Sequence, residues 1–371
     1  MGAPDIIIVG AGIIGVTLAL EMRERGASVT VLEHATPGRE ASSAAAGMLA
    51  AADPETPVAL RDFALESARI YPEFVAKLEK VSGMGTDFRR QGAIVISEHK
   101  VYGQIFSEQI GSQHISAEQH TIPYEYRQVT DAELNTMEPA LKSYGHAAYL
   151  LAEDSIDPVL LMNAALQAAE IMGVQIRSGV RVDEIRSSGS QMEVVGHEFR
   201  LAAGTVVDCR GAWSGPPVVP KKGQMLYLQP QRSGVLQHVV RAPGAYIVPR
   251  SSGRVLVGTT VEDAGFDKSV QPETINQLHN AAAKYVPELA SASVSESWAG
   301  LRPGTPDDLP IMGQADSRGL FVATGHFRNG ILLAPLTALV MANMIEDKPA
   351  GHKISAFAPS RFAAAKVNKA S

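Results

Sequence analysis

The sequence predicts an α/β protein in which a parallel sheet flanked by helices is interrupted by a smaller α+β domain rich in antiparallel strands. Three observations carry this. An apolar, β-branched run at residues 5–9 leads through a glycine-rich turn into a helical pattern and then a second apolar run at 28–32, the order expected of a parallel sheet buried on both faces. Between residues 224 and 258 the pattern changes to short strands separated by turn residues. The 371 residues, 45% of them hydrophobic, suffice for two structural domains with their own cores.

The elements follow in order. Over residues 13–25, Ile14, Leu18 and Met22 recur every four positions, and Gly26 stands where a helix C-terminal cap belongs. The strand at 28–32 ends at Glu33. Residues 62–80 read as a helix that Pro72 kinks or breaks, and 93–96 as a short strand. Thr130 and Glu133 have the spacing of a capping box, and Asp157-Pro158 opens a helix over 160–172 that Gly173 stops. Strands follow at 225–229, 246–249 and 254–257, the last two forming a hairpin across Ser251-Ser252-Gly253. A strand at 320–323 precedes a helix at 336–345, and the tail 363–371 reads as frayed.

Composition narrows the function. A net charge of -6 with Lys and Arg scattered leaves no electrostatic footprint for a phosphate backbone, so nucleic acid is not expected as a partner. One cysteine, Cys209, allows neither an intramolecular disulfide nor a cysteine-rich zinc site, and no metal is expected. It suits a reducing compartment, and the cytoplasm is expected. The apolar run at 6–20 lacks a preceding basic segment, is broken by Gly10, Gly12 and Gly15, and is too short to span a bilayer. Nor does Met1-Gly2 begin an acylation motif, because Ile6 stands where Ser or Thr is required. Membrane attachment is not expected.

Gly10-Ala11-Gly12-Ile13-Ile14-Gly15 is a dinucleotide fingerprint in its strand–turn–helix setting, the mark of a Rossmann-type domain. Gly10 permits the tight turn, Gly12 lets a pyrophosphate approach the backbone, and Gly15 lets the helix pack closely on the strand. The anion would sit on the positive helix end. Glu33 is placed to accept hydrogen bonds from an adenosine ribose and would repel a 2′-phosphate, so FAD or NAD fits better than NADP.

Four segments carry a family resemblance. Residues 41–49, Ala-Ser-Ser-Ala-Ala-Ala-Gly-Met-Leu, look like the small-residue loop of the glycine oxidases of thiamine biosynthesis, within the D-amino-acid oxidase family of flavoproteins. Residues 205–214, Thr-Val-Val-Asp-Cys-Arg-Gly-Ala-Trp-Ser, resemble that family's second FAD-side strand and turn. Residues 300–310, Gly-Leu-Arg-Pro-Gly-Thr-Pro-Asp-Asp-Leu-Pro, and 325–335, Gly-His-Phe-Arg-Asn-Gly-Ile-Leu-Leu-Ala-Pro, are similar to its C-terminal motifs. With the fingerprint, the matches run from Gly10 to Pro335.

The resemblance implies a Rossmann-type FAD-binding domain of segments 1–83, 140–222 and 300–371, with a substrate domain of 84–139 and 223–299. It implies non-covalent FAD, since some relatives attach their flavin through a cysteine near the C-terminal motif and Cys209 lies elsewhere. The implied cofactor contacts are Gly10, Gly12, Ile13, Ile14, Gly15, Glu33, His34, Ser42, Ser43, Ala46, Gly47, Met48, Val180, Gly211 and Trp213. His326, Phe327, Arg328, Asn329, Gly330, Ile331 and Leu332 complete them, where a glycine-rich turn opening a helix would stabilise negative charge on a reduced flavin.

Arg302 and Tyr246 match the positions that hold the substrate carboxylate in the glycine oxidases, a task that suits a guanidinium fork and a phenol. By residue type alone they read as an ion pair and a half-buried strand aromatic. Arg328 matches a further arginine near the active site, and reads equally as a helix-start arginine paired with nearby acids. His326 is expected to contact cofactor only. The implied reaction is oxidative deamination of glycine, and of sarcosine and small D-amino acids, by hydride transfer to flavin N5 without a general base, dioxygen being reduced to hydrogen peroxide. A homotetramer is implied by the same likeness. An oxidase or dehydrogenase of another amine such as sarcosine, proline or a D-amino acid, a non-catalytic FAD-binding subunit and a nicotinamide dehydrogenase stay open as alternatives.

Overall fold

Four consecutive buried residues, Ile6–Val9, form the central strand of a six-stranded sheet, and β-branched side chains on both of its faces require cover from both sides. The computed structural model describes residues 3–53, 55–97, 126–315 and 318–362. The sheet order is Ile311–Gln314, Leu320–Thr324, Thr205–Asp208, Ile6–Val9, Val29–Leu32, Gln175–Arg177. All neighbours are parallel except the Ile311–Gln314 edge strand, which joins its neighbour antiparallel. The helices Ile13–Glu24, Val58–Ser82, Pro158–Ile171 and Gly330–Ile345 pack with this sheet into the largest core. Asp157 caps Pro158–Ile171 by accepting from the N–H groups of Val159 and Leu160 at 2.9 and 3.2 Å.

Pro72 neither ends nor splits its helix, which runs unbroken over Val58–Ser82. A proline removes one i→i−4 hydrogen bond, and here the buried face that includes Leu60, Phe63, Tyr71 and Leu78 outweighs that loss. The same compensation is visible at Pro335 inside Gly330–Ile345, which leaves the carbonyl of Ile331 without its usual partner. The buried Tyr71 hydroxyl donates to that carbonyl at 3.1 Å, and Ser67 Oγ donates to the Leu332 carbonyl at 2.7 Å.

The second sheet has eight strands in the order Ser293–Gly304, Val219–Gln229, Val255–Gly258, Ala245–Pro249, Val239–Ala242, Ala93–Ser97, Ala147–Leu151, Tyr126–Val129. The expected hairpin is present, with Tyr246 opposite Gly258 and Val248 opposite Leu256. The strand expected at 225–229 begins six residues earlier, at Val219, because it pairs along its whole length with Ser293–Gly304. One pair in this otherwise antiparallel sheet is parallel, Val239–Ala242 with Ala93–Ser97, which a long connection between them permits. Helix Pro272–Tyr285 covers the face turned away from the nucleotide side. Thr130 and Glu133 form the expected capping box. A three-stranded meander over Glu184–Ser188, Gln191–Val195 and Arg200–Ala203 lies outside the sequence reading, its strands being only four or five residues long and just the central one alternating clearly between buried and less buried positions. Among the described residues no helix is long and apolar enough to cross a membrane. The Met1-Gly2 start, the 98–125 part of the expected substrate segment and the tail 363–371 lie outside the described residues.

Candidate functional site

A cavity of about 1030 Å³ lies between the C-terminal ends of the parallel strands and one face of the eight-stranded sheet, large for a cofactor pocket. Its nucleotide end is the fingerprint turn. Gly10 has φ +108°, and a Cβ there would stand 2.5 Å from the Cys209 carbonyl oxygen. A Cβ on Gly15 would lie 2.0 Å from the Gly10 carbonyl oxygen, so the helix can sit this close to the strand only with glycine. Ser42 Oγ accepts from the Ile13 N–H at 2.9 Å, and Glu33 accepts from the Ala11 and Ala35 N–H groups at 2.8 and 2.9 Å. Glu33 thus braces the turn while still facing the cavity.

Two helix N-termini open on this space, Ile13–Glu24 behind Gly12 and Gly330–Ile345 behind Asn329. In neither does the N-cap residue's own side chain bond to the helix, and neither has an acidic residue in its first turn, though Ser42 takes the Ile13 N–H of the first. The N–H groups of such helix starts are complementary to anionic or electron-rich groups. Together with the glycine cradle and the cavity's size, they fit FAD.

Of the residues the sequence singles out for cofactor, Gly10, Gly12, Ile13, Ile14, Glu33, His34, Ser42, Ala46, Gly47, Met48, Val180, Gly211 and Trp213 line the cavity, as do His326 to Ile331. Three do not. Gly15 packs helix on strand, the Ser43 hydroxyl donates back to the Gly38 carbonyl, and Leu332 is buried in the core with its carbonyl bound to Ser67. These contacts turn each away from the cavity.

The far wall is the eight-stranded sheet, and register builds it. Arg302, Gly300 and Trp298 pair with Lys221, Gly223 and Met225, while Gly258 pairs with both Met225 and Tyr246. A Cβ on Gly223 would stand 2.2 Å from the Arg302 guanidinium, and one on Gly258 would stand 2.5 Å from the Tyr246 ring. The two side chains therefore lie flat on glycine floors, both lining the cavity. Arg302 donates to Thr259 Oγ1 at 2.8 Å and to the Thr260 carbonyl at 3.1 Å. Tyr246 donates to Met225 Sδ at 3.2 Å. Burial lowers the guanidinium's pKa, opposed by the neighbouring Tyr246, and Arg328 lowers it further. Burial also raises the Tyr246 pKa against the opposing pull of Arg302, so the phenol stays protonated near neutrality.

Arg328 forms an ion pair with Glu55, and its guanidinium stands 5.5 Å from the Phe327 ring centre. His326 is 3% exposed, faces Thr337 Oγ1 at 3.2 Å, and is held neutral because burial lowers its pKa to about 3. The Cys209 thiol is pushed well above its ordinary pKa by burial, then by Asp208, so it is no ready nucleophile.

Several contributors lie outside the sequence reading. Arg241 lines the cavity and pairs with Asp53 at 3.3 Å and Glu153 at 2.7 Å, partners distant in the chain. Thr259 and Thr260 hold Arg302. Gly223 and Gly258 make the floors, and their signal is a glycine inside each strand pattern, where a close approach is the ordinary cause.

The model of the family described as FAD-dependent oxidoreductase (DAO) matches residues 5–344. The bifunctional protein ThiO/ThiG of Trichormus variabilis is 34% identical over 96% of this chain and 55% of its own length, so the chain spans about half of that relative. The glycine oxidase of Geobacillus kaustophilus is 32% identical over 96% of this chain and 97% of its own. The crystal structure of that species' glycine oxidase superposes with a TM-score of 0.89 at 32% identity, covering 96% of this chain and 98% of that one. The L-proline dehydrogenase of P. horikoshii, at 21% identity and a TM-score of 0.86 over 98% of each chain, shares the fold alone. With fingerprint, cavity and family model in agreement along nearly its whole length, this chain belongs to the FAD-dependent oxidoreductase family.

Proposed function

We propose that this chain oxidises glycine with water and dioxygen to glyoxylate, ammonia and hydrogen peroxide, taking sarcosine and small D-amino acids as further substrates. The observation that carries the reading is the pairing of Arg302 and Tyr246 on glycine floors within the cavity that also holds the fingerprint turn. The likeness to a full-length glycine oxidase supports it.

Gly10, Gly12 and the first turn of Ile13–Glu24 would hold the FAD pyrophosphate, Glu33 the ribose, and residues 42–48 with 326–331 the flavin, without a covalent bond. When bound, FAD supplies a two-electron acceptor that dioxygen regenerates. The protein's own work is positioning. Arg302 and Tyr246 bind the substrate carboxylate by charge-assisted hydrogen bonds and so fix which Cα–H bond is presented. The neutral Tyr246 hydroxyl donates without adding charge, and the neutral His326 imidazole, buried against Thr337, holds no proton that the reaction needs. A substrate amine that arrives unprotonated then needs no strong base from the protein.

The test is the visible spectrum of the yellow holoenzyme mixed anaerobically with glycine and then opened to air. Bleaching followed by recovery with peroxide is expected. A flavin that stays oxidised under glycine rejects the substrate, and bleaching without peroxide on reoxidation rejects dioxygen as acceptor. The likeness to the glycine oxidases of thiamine biosynthesis further supports a role in that pathway and a homotetramer, the last checked by light scattering, and the single cysteine suits a cytoplasmic setting.

A further inference from the structure

Arg302 can clamp a carboxylate only if its own guanidinium is held still, and its holders are themselves held from the opposite face of the sheet. Gly223 and Met225 turn toward the cavity, so Lys222 and Gln224, alternating with them, turn away; they are 1% and 0% exposed. There Gln224 ties together both ends of the segment that follows strand Val255–Gly258. Its N–H donates to Thr260 Oγ1 at 3.0 Å, its carbonyl accepts from Thr259 Oγ1 at 3.2 Å, and its Nε2 donates to Glu262 Oε1 at 2.9 Å. Its Oε1 accepts from the Gln271 N–H at 2.7 Å. The Thr260 hydroxyl donates to the same Glu262 oxygen, Lys222 and Glu262 exchange backbone hydrogen bonds at 3.0 and 2.9 Å, and Lys222 Nζ lies 3.8 Å from Glu262 and 3.4 Å from Asp267.

We propose that Gln224 is a positioning residue for Arg302: its main chain binds Thr259 and Thr260 directly, and its carboxamide holds Glu262, which accepts from the Thr260 hydroxyl, so that the Thr259 and Thr260 oxygens keep the guanidinium in register for a carboxylate. This rests on the reading of Arg302 as the carboxylate clamp. In Gln224→Glu the donor becomes a second carboxylate oxygen against Glu262, which expels the segment and frees the guanidinium. In Q224E/E262Q the donor and acceptor are exchanged, so one N–H···O bond and one charge are restored while the carboxylate introduced at position 224 still accepts from the Gln271 N–H. A role limited to filling space predicts no such rescue.

The experiment titrates acetate, a bare carboxylate, into each holoenzyme and follows the flavin absorbance, alongside glycine kinetics. For Q224E the expected result is an acetate Kd and a glycine KM raised about tenfold or more, with kcat within about twofold, and a return to within about threefold of the parent in Q224E/E262Q. Unchanged acetate binding in Q224E, or equal weakness in the single and double variants, overturns the proposal. Should Q224E not fold, Thr260→Val, which removes the hydroxyl that Gln224 and Glu262 share, decides by the same titration: weakened acetate binding supports the proposal and unchanged binding overturns it. Failure of the parent enzyme to oxidise glycine counts against the substrate alone, because acetate still reads the Arg302 site.

Discussion

Arg302 spends two of its N–H groups on Thr259 and Thr260 and turns the rest toward Tyr246 and the cavity. Lysine at this position keeps the charge and loses the fork. Arg302→Lys is therefore expected to raise the glycine KM roughly 100-fold while FAD content holds, as read by steady-state kinetics and the flavin-to-protein absorbance ratio. His326 gives a pH prediction of definite sign. Its pKa falls to about 3 on folding, so between about pH 3 and its ordinary 6.5 the unfolded chain binds the proton and the folded one does not. This site alone removes up to about 1.4 kcal/mol of stability for each pH unit below 6.5. Urea unfolding at pH 7, 6 and 5 should show that loss, and His326→Asn should flatten it; equal slopes in parent and variant would refute the assignment. The turn glycines were legible because they stand in a local motif, whereas Arg302 and Tyr246 were singled out only through the family resemblance, since by residue type alone they read as an ion pair and a strand aromatic. Partners such as Glu55 for Arg328 were not, since 273 residues separate them and nothing local marks the acid.

At the scale of elements, proline placement and long-range hydrogen bonding are one problem. Helix Gly330–Ile345 carries a proline four residues after Ile331, and Tyr71 from another helix supplies the missing donor. Tyr71→Phe should cost about 1–3 kcal/mol in urea unfolding, the penalty of a buried unsatisfied carbonyl. With Pro335→Ala also present, the backbone N–H is restored and the same change should cost about 1 kcal/mol less; additive effects in that double-mutant cycle would exclude the compensation. Strand, helix and cap signals at Asp157, Thr130 and Gly26 were readable because each acts within a few residues. The unbroken Val58–Ser82 helix was not, because burial decided it, and burial belongs to the assembled core.

The two sheets are joined by side chains as well as by the chain. Arg250, buried at the start of the hairpin turn after strand Ala245–Pro249, donates to the carbonyls of Ala46 at 2.6 Å and Ile156 at 3.0 Å and lies 3.6 Å from Asp157, while Trp298 Nε1 donates to the Ala44 carbonyl at 3.2 Å. The loop expected to face the flavin is thus fastened from the substrate side. Arg250→Met should cost about 3–5 kcal/mol and lower the temperature of flavin release together with that of unfolding, measured by flavin fluorescence and circular dichroism in one melt. Flavin release unchanged beside a lowered unfolding transition would separate the two sheets energetically. The topology also has a consequence in time. The fingerprint turn is made first and the Gly330 helix start that opens on the same cavity some 320 residues later, which at about 5–20 residues per second is roughly 15–60 s of synthesis. Throughout that interval on the ribosome the nucleotide turn lacks part of the cavity's lining, so flavin capture waits until the chain has been made past residue 330.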